Sequence, residues 1–321
     1  MTQRPARPPQ RLTSASVSPP RVALGPGRDD SVELAIRQGA GTPVGLHEAA
    51  EALVWMAPWD PDGLRSAIAS TGARWVQLSS AGIELMASAG VLDPGLTWTC
   101  AKGSFAEPVA EHALALALAG LRRLPRRITA TSWGQAAGES MYEQPVTILG
   151  GGGIATSLLG LLKPFRVAAT VVRRSDRPVP GATRTLATSQ LAGALSGAKV
   201  VFVALALTPD TERIIGAPEL AVMRNDSWLV NVARGRHVDT GALVAALEAG
   251  DIAGAALDVT DPEPLPDGHP LWRQDRCIIS PHTADTPEMV ERMFALRVRD
   301  NVARFAAGRP LLGLIDPAAG Y

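Results

Sequence analysis

Between Val146 and Phe165 the chain reads VTILGGGGIATSLLGLLKPF, four glycines in a row between a short apolar run and a helical stretch. Glycine is a poor helix former, so four at one junction need a backbone reason. Gly150, Gly152 and Ala155 fall on the three positions of a G-x-G-x-x-G/A pattern. The first position permits a tight turn, and the second lets bare backbone approach a pyrophosphate. The third needs only a small residue where helix meets strand. Amides opening the helix, those of Gly153 and Ile154 among them, then point at phosphate oxygens, where the helix dipole favours negative charge. That pattern expects an acidic residue about 20 positions on, accepting from the adenosine ribose. This chain has VVRRS instead, so Arg173, Arg174 and Ser175 stand where the carboxylate belongs. Guanidinium groups there can clamp a 2′-phosphate with paired donors, which predicts NADP favoured over NAD, with NAD still possible. The other reading is a solvated arginine loop in which Asp176 takes the ribose.

A phosphate loop works only if a strand delivers it and a helix leaves it. Val146–Leu149 supplies the strand, and strand-like runs recur at Val167–Val172, Val200–Ala204, Trp228–Val232, Ala255–Val259 and Cys277–Ser280. Helical stretches such as Thr240–Gly250 lie between several of them. Upstream, Arg21–Gly25, Ala52–Ala57 and Trp75–Ser80 read as strands, alternating with the helical runs DDSVELAIRQG and PDGLRSAIASTG. A βαβ rhythm of this kind predicts an α/β protein with parallel sheets covered on both faces. A long helix is expected over Gly103–Pro125, ended by its proline, and a nucleotide-binding domain over about 104–286. The amphipathic stretch EMVERMFALRVRDNVARFAAG is expected to pack back on the first domain.

Composition narrows the class. Hydrophobic residues make up 46% of the 321 and charged residues 19%, which suits a folded chain of two ordinary domains. Lys plus Arg and Asp plus Glu both number 31, so no net charge draws the chain to nucleic acid or a membrane surface. The two cysteines, Cys100 and Cys277, have no metal-type spacing; they suit a reducing cytoplasm and no metal site. No apolar run reaches transmembrane length. Residues 1–20, rich in Pro, Arg and Ser, read as a disordered leader.

Three further stretches, NVARG at Arg234, LDVTDPEPLP at Glu263 and SPH at His282, join VQLSSAGIE, PVAEHALAL, GGGGIA and ALTPDT in a characteristic order. In that order and spacing the chain resembles the D-isomer-specific 2-hydroxyacid dehydrogenases over nearly its whole length after Arg21. The resemblance implies a doubly wound parallel-sheet (Rossmann) nucleotide domain, 104–286, inserted into a smaller flavodoxin-like α/β substrate domain formed by 21–103 and 287–321. It also implies a catalytic set of Arg234, Glu263 and His282. Hydride transfer to a ketone needs a proton donor for the developing alkoxide, and histidine suits that near neutral pH. A carboxylate such as Glu263 beside the imidazole favours its protonated form and orients it. A guanidinium such as Arg234 can grip the substrate carboxylate and polarise the carbonyl.

By the same resemblance Val232 and Ala233 adjoin the cofactor, and Asp258 accepts from its carboxamide. The turn Ser80, Ala81, Gly82 holds the substrate carboxylate with its amides. The implied activity is NAD(P)-dependent reduction of a small 2-keto acid, glyoxylate or hydroxypyruvate in type, to a D-2-hydroxy acid, with His282 as acid/base. A dinucleotide-sensing interaction protein with little turnover is the alternative. Glu263 argues against formate dehydrogenases, which carry glutamine there. Ala206 and Thr283 depart from the family's usual proline and small aliphatic residue. Of the other histidines, His112 reads as structural, and His237 and His269 as loop residues. The apolar helix from Val109 is expected to be buried in a homodimer.

Overall fold

The computed structural model describes residues 18–318, so all of the expected leader but residues 18–20 lies outside the described residues. The first five strands are β1 (Arg21–Gly25), β2 (Thr42–Val44), β3 (Ala52–Trp55), β4 (Trp75–Leu78) and β5 (Thr97–Thr99). They form an all-parallel sheet in the order β2-β1-β3-β4-β5, the flavodoxin-like arrangement. Helices α1 (Asp30–Gln38), α2 (Pro61–Thr71) and α3 (Glu84–Ser88) belong to the same stretch. Their ends follow from local chemistry. The Asp29 carboxylate accepts from Val32 N and caps α1, while Asp60 accepts from Gly63 N and Pro61 opens α2. Gly72, at φ +68, closes α2 in the left-handed conformation that glycine adopts without a Cβ clash.

Two helices then lead into the second sheet, α4 (Ala106–Leu121) and α5 (Leu124–Ile128). Next come β6 (Pro145–Leu149), α6 (Gly153–Leu162), β7 (Ala168–Arg173), β8 (Arg184–Ala187), α7 (Leu191–Leu195) and β9 (Val200–Val203). The remaining elements are α8 (Ala217–Val222), β10 (Trp228–Asn231), α9 (Thr240–Ala249), β11 (Gly254–Leu257), β12 (Cys277–Ile279) and α10 (Pro287–Ala306). The seven strands are all parallel, in the order β12-β11-β10-β9-β6-β7-β8. This is the doubly wound Rossmann arrangement, and its direction reverses between β6 and β9. The strands VVFV, WLVN and GAAL are buried at every position because helices cover both faces. Alternate residues of β9 serve different cores: Val200 and Phe202 join the cluster with α4 and α6, Val201 and Val203 the one with α9. Helix α10 packs along α1 of the first sheet.

The structure differs from the sequence reading in several places. Strands β2, β5 and β8 go unread in the sequence because they are edge strands of three or four residues, without a run of alternating apolar residues. Strand β7 lies one residue later than Val167–Val172. The long helix stops at Leu121, where Arg123 turns left-handed at φ +53, and Pro125 sits in the first turn of α5 instead of ending α4. Finally, the apolar face of α4, from Val109 to Leu121, is already buried within the chain, against α6, β10 and β11. Exposed apolar residues follow directly after it, Leu124, Ile128 and Trp133, the last 93% exposed. Among the described residues no helix is long and apolar enough to cross a membrane.

Candidate active site

The glycine loop joins β6 to α6 at the point where the strand order reverses. Gly150 stands at φ +108, and a Cβ there would collide with the Ala204 carbonyl, so both conformation and space require glycine. Gly152 caps α6 in an extended conformation, and a Cβ on it would meet nothing within 4 Å. That open ground before a helix N-terminus is the cradle a pyrophosphate needs, so the chain fits a dinucleotide here. Gly153 serves packing instead: its Cβ would lie 3.1 Å from both Ala106 Cβ and Gly103 Cα. Ala155 is fully buried, as the third position of the pattern requires. Arg173, the last residue of β7, folds back along the loop, its Cδ and Nε 3.2 and 3.4 Å from where a Gly151 Cβ would stand. Arg174, Ser175 and Asp176 are exposed just beyond it.

Arg234 follows β10 through a turn that Asn231 fixes. Asn231, fully buried, donates to the Arg234 carbonyl at 2.9 Å and accepts from Ala233 N at 3.1 Å. Gly235 lies so close to the Thr260 carbonyl that any side chain would collide with it, which ties this turn to the loop carrying Glu263. The Arg234 side chain crosses to the first sheet. Its Nε pairs with Glu84 Oε1 at 3.1 Å, Nη1 donates to the Ala233 carbonyl at 2.7 Å, and Nη2 lies against Gly82, where a Cβ would overlap it. A guanidinium has five N–H donors, so three remain for a ligand. In the adjacent turn the Ser80 hydroxyl donates to the Gly82 carbonyl at 2.6 Å. The amides of Ala81 and Gly82 have no acceptor among the described residues.

His282 Nδ1 lies 2.6 Å from Glu263 Oε1, and both side chains are partly exposed. The histidine is held at φ +52, a strained conformation for a residue with a Cβ, by bonds from its own amide to the Asp258 and Ser280 carbonyls at 2.8 and 3.0 Å. Asp258 is the anchor of this turn. Its Oδ1 accepts from the Ser280 hydroxyl at 2.6 Å and from Thr283 N at 3.0 Å, and it faces His112 Nε2 at 3.2 Å; Oδ2 accepts from Ala284 N at 3.1 Å. Burial opposes the charge on Asp258, but the bonds from His112, Ser280 and the two amides outweigh it and hold the carboxyl down at about 2. Three of these contacts fall on Oδ1 and one on Oδ2, and Asp258 also lines the cleft.

One cleft, open to solvent, takes in Ala81 from the first sheet together with Ile154, Val232, Arg234, Asp258 and His282. Glu263 stands behind His282, and Arg173, Arg174 and Ser175 lie apart from the cleft lining at the end of β7. Sequence reasoning missed Glu84, the partner of Arg234, and Asp285, a further carboxylate in the cleft wall. His112, read as structural, is brought by α4 against Asp258 and Ser280. His237, read as a loop residue, is fully buried with its ring nitrogens 3.1 Å from the Thr211 and Leu205 carbonyls; burial pushes its pKa below the ordinary value.

A phosphate cradle at the switch point of a doubly wound sheet, beside a histidine–carboxylate pair and a guanidinium, describes a dinucleotide-dependent oxidoreductase. Residues 112–284 match the family model for the D-isomer specific 2-hydroxyacid dehydrogenase, NAD binding domain. The chain is 40% identical over 254 residues to a Corynebacterium melassecola protein described as an uncharacterized protein in the proB 3′ region, covering 77% of this chain and 84% of that one. It is 31% identical over 234 residues to the glyoxylate reductase of Aeropyrum pernix, covering 69% of this chain and 70% of that one. Among solved structures it is similar, at 26% identity and a TM-score of 0.82, to a D-isomer specific 2-hydroxyacid dehydrogenase from Xanthobacter autotrophicus Py2 in complex with NADPH and MES. That match covers 94% of this chain and all of the other. The chain belongs to the D-isomer specific 2-hydroxyacid dehydrogenase family, oxidoreductases that act on CH–OH groups.

Proposed function

We propose that the protein reduces a short 2-oxo acid of the glyoxylate or hydroxypyruvate type to the D-2-hydroxy acid, with NADPH preferred as reductant. The observation that carries this reading is the 2.6 Å contact of His282 Nδ1 with Glu263, which leaves Nε2 of the same ring to the cleft shared with Arg234. A bound nicotinamide dinucleotide supplies the hydride. The three remaining donors of Arg234 hold the substrate carboxylate, together with the unpaired amides of Ala81 and Gly82. His282 Nε2 gives a proton to the ketone oxygen as alkoxide charge develops there. Glu263 orients the ring and balances its charge. Residues 21–103 with 287–321 form the substrate side and 104–286 the nucleotide side, and closure between them excludes water.

The test is loss of reduced-nicotinamide absorbance with a panel of 2-oxo acids and both reduced cofactors. Turnover of none of them, with cofactor bound, ends the reading. For the cofactor, the fold of Arg173 over the glycine loop supports a 2′-phosphate held by Arg173, Arg174 and Ser175. Charge-assisted contacts of this kind are worth about ten- to hundredfold in affinity. Replacing both arginines by alanine is expected to raise the Michaelis constant for NADPH and leave that for NADH nearly unchanged. A wild-type preference for NADH would hand the ribose to Asp176. We also place the enzyme in the cytoplasm as a homodimer. Its free cysteines suit a reducing compartment, and Leu124, Ile128 and Trp133 offer the apolar surface for a second copy. Sedimentation as a monomer at micromolar concentration would count against the dimer.

A further inference from the structure

Four carboxylates surround the cleft, and three of them are engaged. Glu84 holds Arg234, Glu263 holds His282, and Asp258 is bonded by His112, Ser280 and two amides. Asp285 is the exception. It lines the same cleft three residues after His282, and among the described residues no ion pair reaches its half-buried carboxylate; its only bond is to its own amide. Burial pushes this carboxyl above the usual range, and the nearby charges divide, with His282 and Arg234 favouring its ionised form and Asp258 opposing it.

An unneutralised carboxylate in the wall of a cleft that takes an anionic substrate is a liability once water leaves, unless the ligand itself brings a cation. Neither basic group nearby can fill that need. Arg234 keeps its free donors for the substrate carboxylate, and His282 is held by Glu263. Placement puts Asp285 beside the substrate turn. It sits on the short connection into α10, the helix packed on α1 of the first sheet, and shares the cleft wall with Ala81 of that sheet. The glycine cradle, at the start of α6, borders the same cleft through Ile154.

We propose that Asp285 is a specificity-determining residue, selecting 2-oxo acids that carry an ammonium or guanidinium group at the end away from the carboxylate. This rests on the reaction proposed above and narrows its substrate class. A carboxylate in this position attracts a cationic tail and repels an acidic one, so it acts by attraction and by exclusion together.

The experiment uses the full chain and two readouts. In the first, kcat/KM is measured for 5-guanidino-2-oxopentanoate, for 2-oxohexanoate as a neutral counterpart and for 2-oxoglutarate as an acidic one. In the second, binding of unreactive 5-guanidinopentanoate and of hexanoate to the enzyme with NADP+ is followed by calorimetry. The guanidino compound is expected to win by about tenfold or more in both. Asp285→Asn is expected to erase the advantage and improve 2-oxoglutarate, and Asp285→Ser to do the same. Equal treatment of cationic and neutral acids by the wild type overturns the proposal, as does a preference that survives in both variants. So does a change confined to affinity for oxidised cofactor, since Asp285 would then face the nicotinamide. If no 2-oxo acid is reduced but the Asp285-dependent binding difference is present, the reaction proposal fails and the cation subsite stands.

Discussion

The His282–Glu263 pair and the His112–Asp258 pair combine the same two functional groups, on carboxylates five positions apart in the chain, and their surroundings differ in almost every other respect. Glu263 and His282 are 40% and 43% exposed, in contact at 2.6 Å, and the far ring nitrogen has no partner among the described residues. The Asp258 side chain is 1% exposed and takes donors on both oxygens, with His112 at 3.2 Å as one of them. A pair at the mouth of a cleft, whose carboxylate takes one further and longer bond, from Thr260 N at 3.4 Å, leaves a proton able to move. A saturated, buried carboxylate fixes geometry instead, here the left-handed turn that aims His282. What the difference teaches is that the type of pair does not assign its role; the roles proposed for these two follow the number and closeness of the other donors on the carboxylate.

The largest effect expected from this contrast is on turnover. His282→Ala removes the proposed proton donor, so the rate should fall by about 10²-fold or more while cofactor affinity hardly changes. Wild-type turnover in that variant would break the assignment of the mobile proton to this pair. Glu263→Gln keeps a hydrogen-bonding group at Nδ1 but loses the charge. Turnover should drop about tenfold, with unfolding by denaturant unchanged, because the pair is half exposed.

Asp258→Asn should act in the opposite sense. An amide there puts an NH2 group among donors that need acceptors, which should lower the unfolding free energy by roughly 1.5–3 kcal/mol. The pH dependence gives a second check. The Asp258 carboxyl titrates at about 2 in the folded protein, below an ordinary aspartate. Its contribution to stability is therefore present above about pH 4 and lost as the pH falls toward 2. Thermal unfolding followed across that window should show a shallower acid decline in Asp258→Asn than in the wild type. An equal decline would mean that Asp258 is not the anchor.

How much of this was legible in the sequence depended on whether a residue's reason is local. Gly150 and Gly152 could be read from the chain because their constraints, a positive φ and an open helix start, arise within the loop itself. Arg234, Glu263 and His282 stood out only through the order of short stretches around them; nothing in a lone Glu-Pro or Pro-His pair carries chemistry. Glu84 and Asp285 were not legible, nor was the partner of His112. Glu84 meets Arg234 only where the first sheet faces the second, 150 positions apart in the chain, and His112 meets Asp258 only because α4 crosses β10 and β11. The end of α4 was misplaced for a related reason: proline is as much at home in a first helical turn as after a last one, and the left-handed residue that breaks the helix is an arginine.

The smallest effect expected is that of His112→Asn, and it makes the finest cut between the two pairs. Asparagine is too short to reach the place of Nε2, so the variant loses the contacts with Asp258 at 3.2 Å and Ser280 at 3.0 Å and the ring's packing, while Asp258 keeps Ser280 and both amides. A single hydrogen bond of this kind is worth roughly 0.5–1.5 kcal/mol. Denaturant unfolding should therefore shift by no more than about 1 kcal/mol, and turnover should stay within about twofold of wild type. His112→Ala should cost more in stability, since it opens a gap between α4 and the 280–284 turn, yet it should still spare turnover. The contrast to look for lies between the two histidines. Loss of turnover in His112→Asn on the scale of His282→Ala, with the fold intact, would mean that the buried pair also handles a proton. The role of a pair could then no longer be judged from how many donors its carboxylate accepts.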